Sequence, residues 1–199
     1  MTTTTARGRA TRLRLVEAAA RLMHVNGVAA TSVDDVLEAA GAGKSQFYHA
    51  FASKNDLVAA VLEFQAASGE KEQAALFRAH PGWEGIRAWL DAVVASQQRA
   101  RYAGGCPIGS MAAEMADRDP ALRRRLKTAF QRKRNAVHRH LAALQDAGSL
   151  RGDADVDALA TFVMATLQGG LLLGSTYKDG APLRHAVEAA WAHLLSFRP

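Results

Sequence analysis

The stretch from Thr31 to Leu57, TSVDDVLEAAGAGKSQFYHAFASKNDL, constrains the fold of this chain more than any other. Ser32 and Asp35 stand three apart, so each can satisfy the other's free backbone N–H, and this capping box predicts a helix start. Val33, Val36, Leu37 and Ala40 then recur at helical spacing. Gly41 predicts the stop, because glycine accepts the positive φ of a helix C-cap. The turn Gly41-Ala42-Gly43 is short enough for a second helix, Lys44 to Phe51, to leave sharply. At about 100° per residue Phe47, Ala50 and Phe51 share an inward face, while Ser45, Gln46, Tyr48 and His49 spread around the other. A helix this short is unstable alone, so the two phenylalanines must anchor it. Its outward face carries donors, acceptors and a phenol but no acid, a surface suited to a DNA groove.

In register with that stretch the chain resembles the TetR family of bacterial repressors, whose pattern runs roughly T-[ST]-x-x-x-[IV]-x-x-x-A-G-[VA]-x-x-x-x-[FL]-Y-x-[HY]-F-x-x-K-x-x-L. Thr31, Ser32, Val36, Ala40, Gly41, Ala42, Phe47, Tyr48, Phe51, Lys54 and Leu57 match it. Ala50 departs from it, standing where relatives often carry Tyr or His, and one phosphate contact is lost there. Carried over position by position, the resemblance implies that Lys44, Ser45 and Gln46 meet base edges in the major groove. Tyr48, His49 and Lys54, with Ser32 at a helix N-terminus, would hold phosphates. It also implies a homodimer on a palindromic double-stranded DNA operator, released by a small-molecule inducer. The run from Gly104 to Leu126, GCPIGSMAAEMADRDPALRRRL, resembles the subgroup around the LmrA and YxaF repressors.

Around this unit the chain reads as all-α. Residues 1–9 form a Thr-rich expected flexible basic arm; Arg7, Arg9 and also Arg12 suit either DNA backbone and minor groove or plain solvent. A helix is expected from Ala10 to Asn26, with Gly27 as its stop. Residues 10–53 are thus the expected DNA-binding domain, and 54–199 a larger helical ligand-binding and dimerisation domain. In the latter, helices are expected from Lys54 to about Phe77, Trp83 to about Arg101, Ile108 to Ala116, Pro120 to about Ala147 and Asp155 to Tyr177. A last one follows Pro182. The formal charge of +6 favours a polyanionic partner. A single cysteine excludes an intramolecular disulfide and suits a reducing compartment. The N-terminus lacks a signal peptide's apolar core, and no run reaches the ~18 uninterrupted apolar residues of a membrane span. The expected location is the bacterial cytoplasm, at the nucleoid, with no membrane partner.

The basic run Arg123, Arg124, Arg125, Lys127, Arg132, Lys133, Arg134 and Arg139 lies mostly off the apolar stripe of its helix. That predicts a solvated face, with a second DNA surface as the alternative. Lys133 and His140 fall inside the stripe. Either they are a snorkelling lysine and a satisfied histidine, or they line a cavity for an anionic or carbonyl-bearing ligand. Aromatic and methionine placement adds Phe64, Trp83, Trp89, Cys106, Met111, Met115, Phe130 and Phe162 to that candidate pocket. Cys106, just ahead of Pro107 at a helix start, reads as a sensor of electrophiles or oxidants or as a small buried hydrophobe.

The two closing helices are too apolar for a monomer surface. Phe162, Leu167, Gly170, Leu171, Gly174, Val187, Trp191 and Leu194 are expected at a homodimer interface. No catalytic pair or phosphate loop emerges, and His138-x-His140 points its rings to different sides of a helix. The expectation is no catalytic residue, metal or cofactor. An electrophile-responsive regulator acting through Cys106 and a helical protein-binding adaptor remain as alternatives to a ligand-released repressor.

Overall fold

A computed structural model describes residues 6–199. Among these are nine helices and no strand: α1 (Ala6–Asn26), α2 (Val33–Ala40), α3 (Lys44–Ala50), α4 (Lys54–Ala79), α5 (Trp83–Arg99), α6 (Pro107–Met115), α7 (Pro120–Asp146), α8 (Val156–Tyr177) and α9 (Ala181–Leu195). Local chemistry sets most boundaries. Ser32 and Asp35 form the reciprocal capping box, at 2.8 and 3.1 Å. Gly41 closes α2 at φ 59°. Ser53 and Asp119 each accept backbone N–H groups at the starts of α4 and α7. The expected flexible arm is corrected in part: residues 6–9 form the first turn of α1, so Arg7 and Arg9 stand on a folded helix. Alanine and arginine are good helix formers, and the cost of Gly8, about 1 kcal/mol against alanine, does not stop the helix from extending back from the apolar run that follows. Residues 1–5 lie outside the described residues.

The N-terminal three helices make one small unit. Phe47 and Phe51 are buried beneath α3, and Leu15, Ala18 and Ala19 of α1 are wholly buried behind them. From this unit α4 runs 26 residues, ~39 Å at the helical rise, into the larger helical body. Alongside it α7 runs in the same direction, for Glu63 meets Arg125 and Arg132, Glu70 meets Arg132, and Phe77 meets His140. A further pair joins Arg134 to Asp157 of α8 at 2.7 Å. Of the basic run of α7, Arg125, Arg132 and Arg134 are therefore engaged in ion pairs with α4 and α8. Each such exposed pair contributes only about 0–1 kcal/mol.

The closing pair packs closely because a glycine lies at its crossing. A Cβ on Gly170 would come within 2.8 Å of the Ala186 Cβ and 3.1 Å of the Leu183 Cα. This corrects the expected dimer face. Leu167, Gly170, Leu171 and Gly174 of α8, and Val187 and Leu194 of α9, are buried inside the protomer. Trp191 is half-buried, its ring 6.0 Å from that of Trp83. Of that set Phe162 alone is exposed, and it shares the outer face of α8 with Ala165, Gly169, Leu172, Leu173 and Tyr177. A helix apolar on every side gives no polar face from which to tell inside from outside. By length and composition α8 also suffices to cross a membrane. Here it is the core helix packed against α7 and α9.

Candidate nucleic-acid interface

With Phe47 and Phe51 turned inward, α3 presents Lys44, Ser45, Gln46, Tyr48 and His49, all exposed. Tyr48, at 65% exposure, stands edge-on to Phe47 with ring centroids 5.3 Å apart. Its phenol thus projects from a fixed base. Lys44 pairs with Asp34 of α2 at 3.2 Å. The Gly43 N–H donates to Gln46 Oε1 at 3.0 Å, so this carbonyl caps the helix and leaves the Gln46 NH₂ to donate outward. Ser32, exposed, caps α2 from beneath the same surface. Lys54 lies in the first turn of α4, where the helix dipole disfavours a cation. It reaches the Ala29 carbonyl at only 3.5 Å. The Ser32 hydroxyl, and then the Ser32 backbone N–H, hold the neighbouring Asp35 carboxyl below the usual carboxylate range; Lys54 adds a smaller share.

Two of the arginines expected either at DNA or in plain solvent, Arg7 and Arg12, stand beside this surface. Arg7, Thr11 and Arg12 of α1 line a cleft of about 410 Å³ with Ser45, Gln46 and His49. The Arg12 guanidinium also lies over the Phe51 ring at 4.8 Å.

The larger body grips this unit at the turn after α1. Glu114 of α6 accepts from the Val28 N–H at 2.7 Å and the Ala29 N–H at 2.5 Å. Beside it Gly104 fits closely against His24, since a Cβ there would stand 2.5 Å from the ring. Burial pushes the His24 pKa down, opposed in part by its hydrogen bond to the Ala103 carbonyl. The Glu114 contacts span 86 and 85 residues of sequence, so no local pattern announces them.

The ten expected pocket residues do not share one cavity. Phe64 is exposed and lines an outer groove with Arg9, Leu13 and Arg125. Trp83 donates to the Ser149 carbonyl at 3.2 Å and meets Trp191, which makes it a clamp between α5 and the closing helix. Phe162 is on the outer face of α8 against His193, 4.5 Å between centroids. Cys106, 7% exposed, is the N-cap of α6 and accepts from the Gly109 N–H at 3.4 Å, which favours its packing role. Met111 is buried in the core, and Met115 and Phe130 pack partly buried against it. Trp89 and His140 do come together through Phe77, where α4, α5 and α7 meet, whereas Lys133 lies about two turns earlier on α7 beside Gly69. Phe77 lies 6.0 Å from Trp89 and 4.3 Å from His140. The His140 Nε2 is already engaged with the Gly82 carbonyl at 2.7 Å. Lys133 packs its stem against Gly69. Sequence periodicity missed Gln73, which is 2% exposed on the inner side of α4 and has neither Oε1 nor Nε2 paired among the described residues. Leaving such a buried group unpaired costs about 1–3 kcal/mol.

A short, acid-free helix anchored from behind, flanked by arginines and joined by a long helix to a separate body, defines a helix-turn-helix regulator of transcription. The model described as bacterial regulatory proteins, tetR family, matches residues 15–61, and that described as tetracyclin repressor-like, C-terminal domain, matches residues 82–190. The chain belongs to the TetR family, whose members regulate transcription and are not enzymes. It is 27% identical to an HTH-type transcriptional regulator in the lacX 3′ region of Lactococcus lactis, over 86% of each chain. To the HTH-type transcriptional regulator LmrA of Bacillus subtilis it is 26% identical over 87% of this chain and 91% of the relative. A TetR regulator from Chloroflexus aurantiacus superposes with a TM-score of 0.84 at 30% identity, over 95% of this chain and 96% of that one.

Proposed function

We propose that this chain is a dimeric repressor which binds a palindromic operator through α3 and leaves it when a small, largely apolar ligand enters the body. The observation that carries this reading is the outward face of α3, held rigid by Phe47 and Phe51 and free of acids. Tyr48, His49 and Lys54, with Ser32, Arg7 and Arg12, reach phosphates and fix register. Lys44 gives up its exposed pair with Asp34 at small cost when a base edge or phosphate replaces it. Gln46 donates from its NH₂, and Ser45 meets either base type.

A two-fold dimer places two copies of α3 in successive major grooves, ~34 Å apart. The outer stripe of α8, Phe162, Leu172, Leu173 and Tyr177, is the surface for that dimer. The cytoplasm, where the operator lies, is its place of action. Ligand control follows from the build: α4 runs unbroken from the body to the short turn that follows α3, and Glu114 ties the body to the turn before α2. A ligand that binds better to one placement of α4 shifts the head spacing, and only one spacing fits the operator.

Binding of the native protein and three variants to a library of duplexes tests the division of labour. Tyr48→Phe and Lys54→Ala should weaken every sequence alike, whereas Gln46→Ala should change which sequence is preferred. Four identical profiles would refute it.

A further inference from the structure

We propose that Gln73 anchors a binding site between α4, α5 and α7 for a neutral ligand bearing an adjoining donor and acceptor on an aromatic body: a carboxamide, a lactam or a protonated carboxylic acid. The proposal rests on the regulator reading above and names the chemistry of its ligand.

Gln73 is 2% exposed, and both polar atoms of its amide lack partners among the described residues. Native proteins pair nearly all such atoms, and an exception calls for a cause. The side chain offers one acceptor and one donor side by side. A carboxylate would satisfy the NH₂ but oppose Oε1 with a second acceptor, an ammonium would do the reverse, and a hydrocarbon would satisfy neither. A carboxamide or its analogues completes both bonds at once.

The surroundings define the rest of the ligand. Along α4, Gly69 lies one turn before Gln73 and Phe77 one turn after. Gly69 meets the Lys133 stem and Phe77 meets the His140 ring, so Gln73 stands level with Ala136 and the fully buried Val137 of α7. Phe77, on the next turn of α4, and Trp89 beside it supply aromatic walls. His140 does not compete, because the Gly82 carbonyl engages it. Parting α4 from α7 admits the ligand, and the Glu63 ion pairs across that seam are exposed and weak. The helix that moves is the one that carries α3.

Calorimetry on the full-length protein tests this with 2-naphthamide, which has donor and acceptor, and 2-acetonaphthone, which has the acceptor alone. The native protein should prefer the amide by about tenfold. Gln73→Leu should abolish that preference and melt no lower than the native protein, since it removes both unpaired atoms; Gln73→Met serves if the branched side chain does not pack. Equal affinity for the two probes, no binding of the amide, or a preference that survives substitution would overturn the proposal. The same preparations are assayed for duplex binding. Native protein that binds DNA but shows no amide preference sinks the site and spares the regulator reading, whereas failure on DNA sinks that reading, whatever the probes do.

Discussion

Several side chains on α3 are already held before DNA arrives: Lys44 by Asp34, Gln46 by the Gly43 N–H, Tyr48 by the Phe47 ring. The residue types that suit DNA were legible from the motif, but these restraints were not, since they depend on neighbours turned toward one another by the fold. Gln73 escaped notice for the opposite reason: a polar residue among polar neighbours on α4 carries no periodic signal, and only burial makes it unusual. Ser32→Ala removes half of a capping box and should destabilise the protein by about 1 kcal/mol, seen as a lowered melting temperature. His24 yields a pH prediction. Its folded pKa lies below its unfolded value of about 6.5, so the unfolded chain binds the proton more readily. The stability it contributes is present above about pH 6.5 and is lost as the pH falls through the folded pKa. Native protein should therefore lose more thermal stability between about pH 7.5 and 5.5 than His24→Gln does; equal losses would contradict this.

At the scale of elements, helix positions followed from caps and breakers, as at Ser32, Gly41 and Asp119, because these signals are local. Where no such signal stood, at the start of α1, the boundary was set too late. Contacts between elements were not legible, and the most consequential is the Glu114 carboxylate on two N–H groups of the α1–α2 turn. Hydrogen bonds to a charged acceptor contribute about 1.5–3 kcal/mol. Glu114→Gln should therefore speed amide exchange at Val28 and Ala29 by about tenfold or more while leaving the rest of α1 unchanged. Unaltered protection at both amides would show that α6 does not hold the head.

Over the whole molecule, the resemblance to a family conveyed the two-part architecture, whereas the face used for assembly had to await the packing of α8 on α9. The two faces of α8 give opposite predictions. Leu172→Glu with Leu173→Glu should leave helicity intact and halve the mass found by sedimentation. Leu167→Ala, inside the protomer, should cost about 2–5 kcal/mol of stability without directly touching the interface. A double variant that sediments as the native protein does would remove the outer stripe from the dimer.

The central claim is that α3, presented twice by a symmetric dimer, reads DNA. Selection of random duplexes by the purified native protein tests it most directly. An inverted repeat with half-site centres ~34 Å apart, roughly one helical turn, should be enriched. Enrichment of no inverted repeat, at a salt concentration where non-specific binding is suppressed, would contradict it.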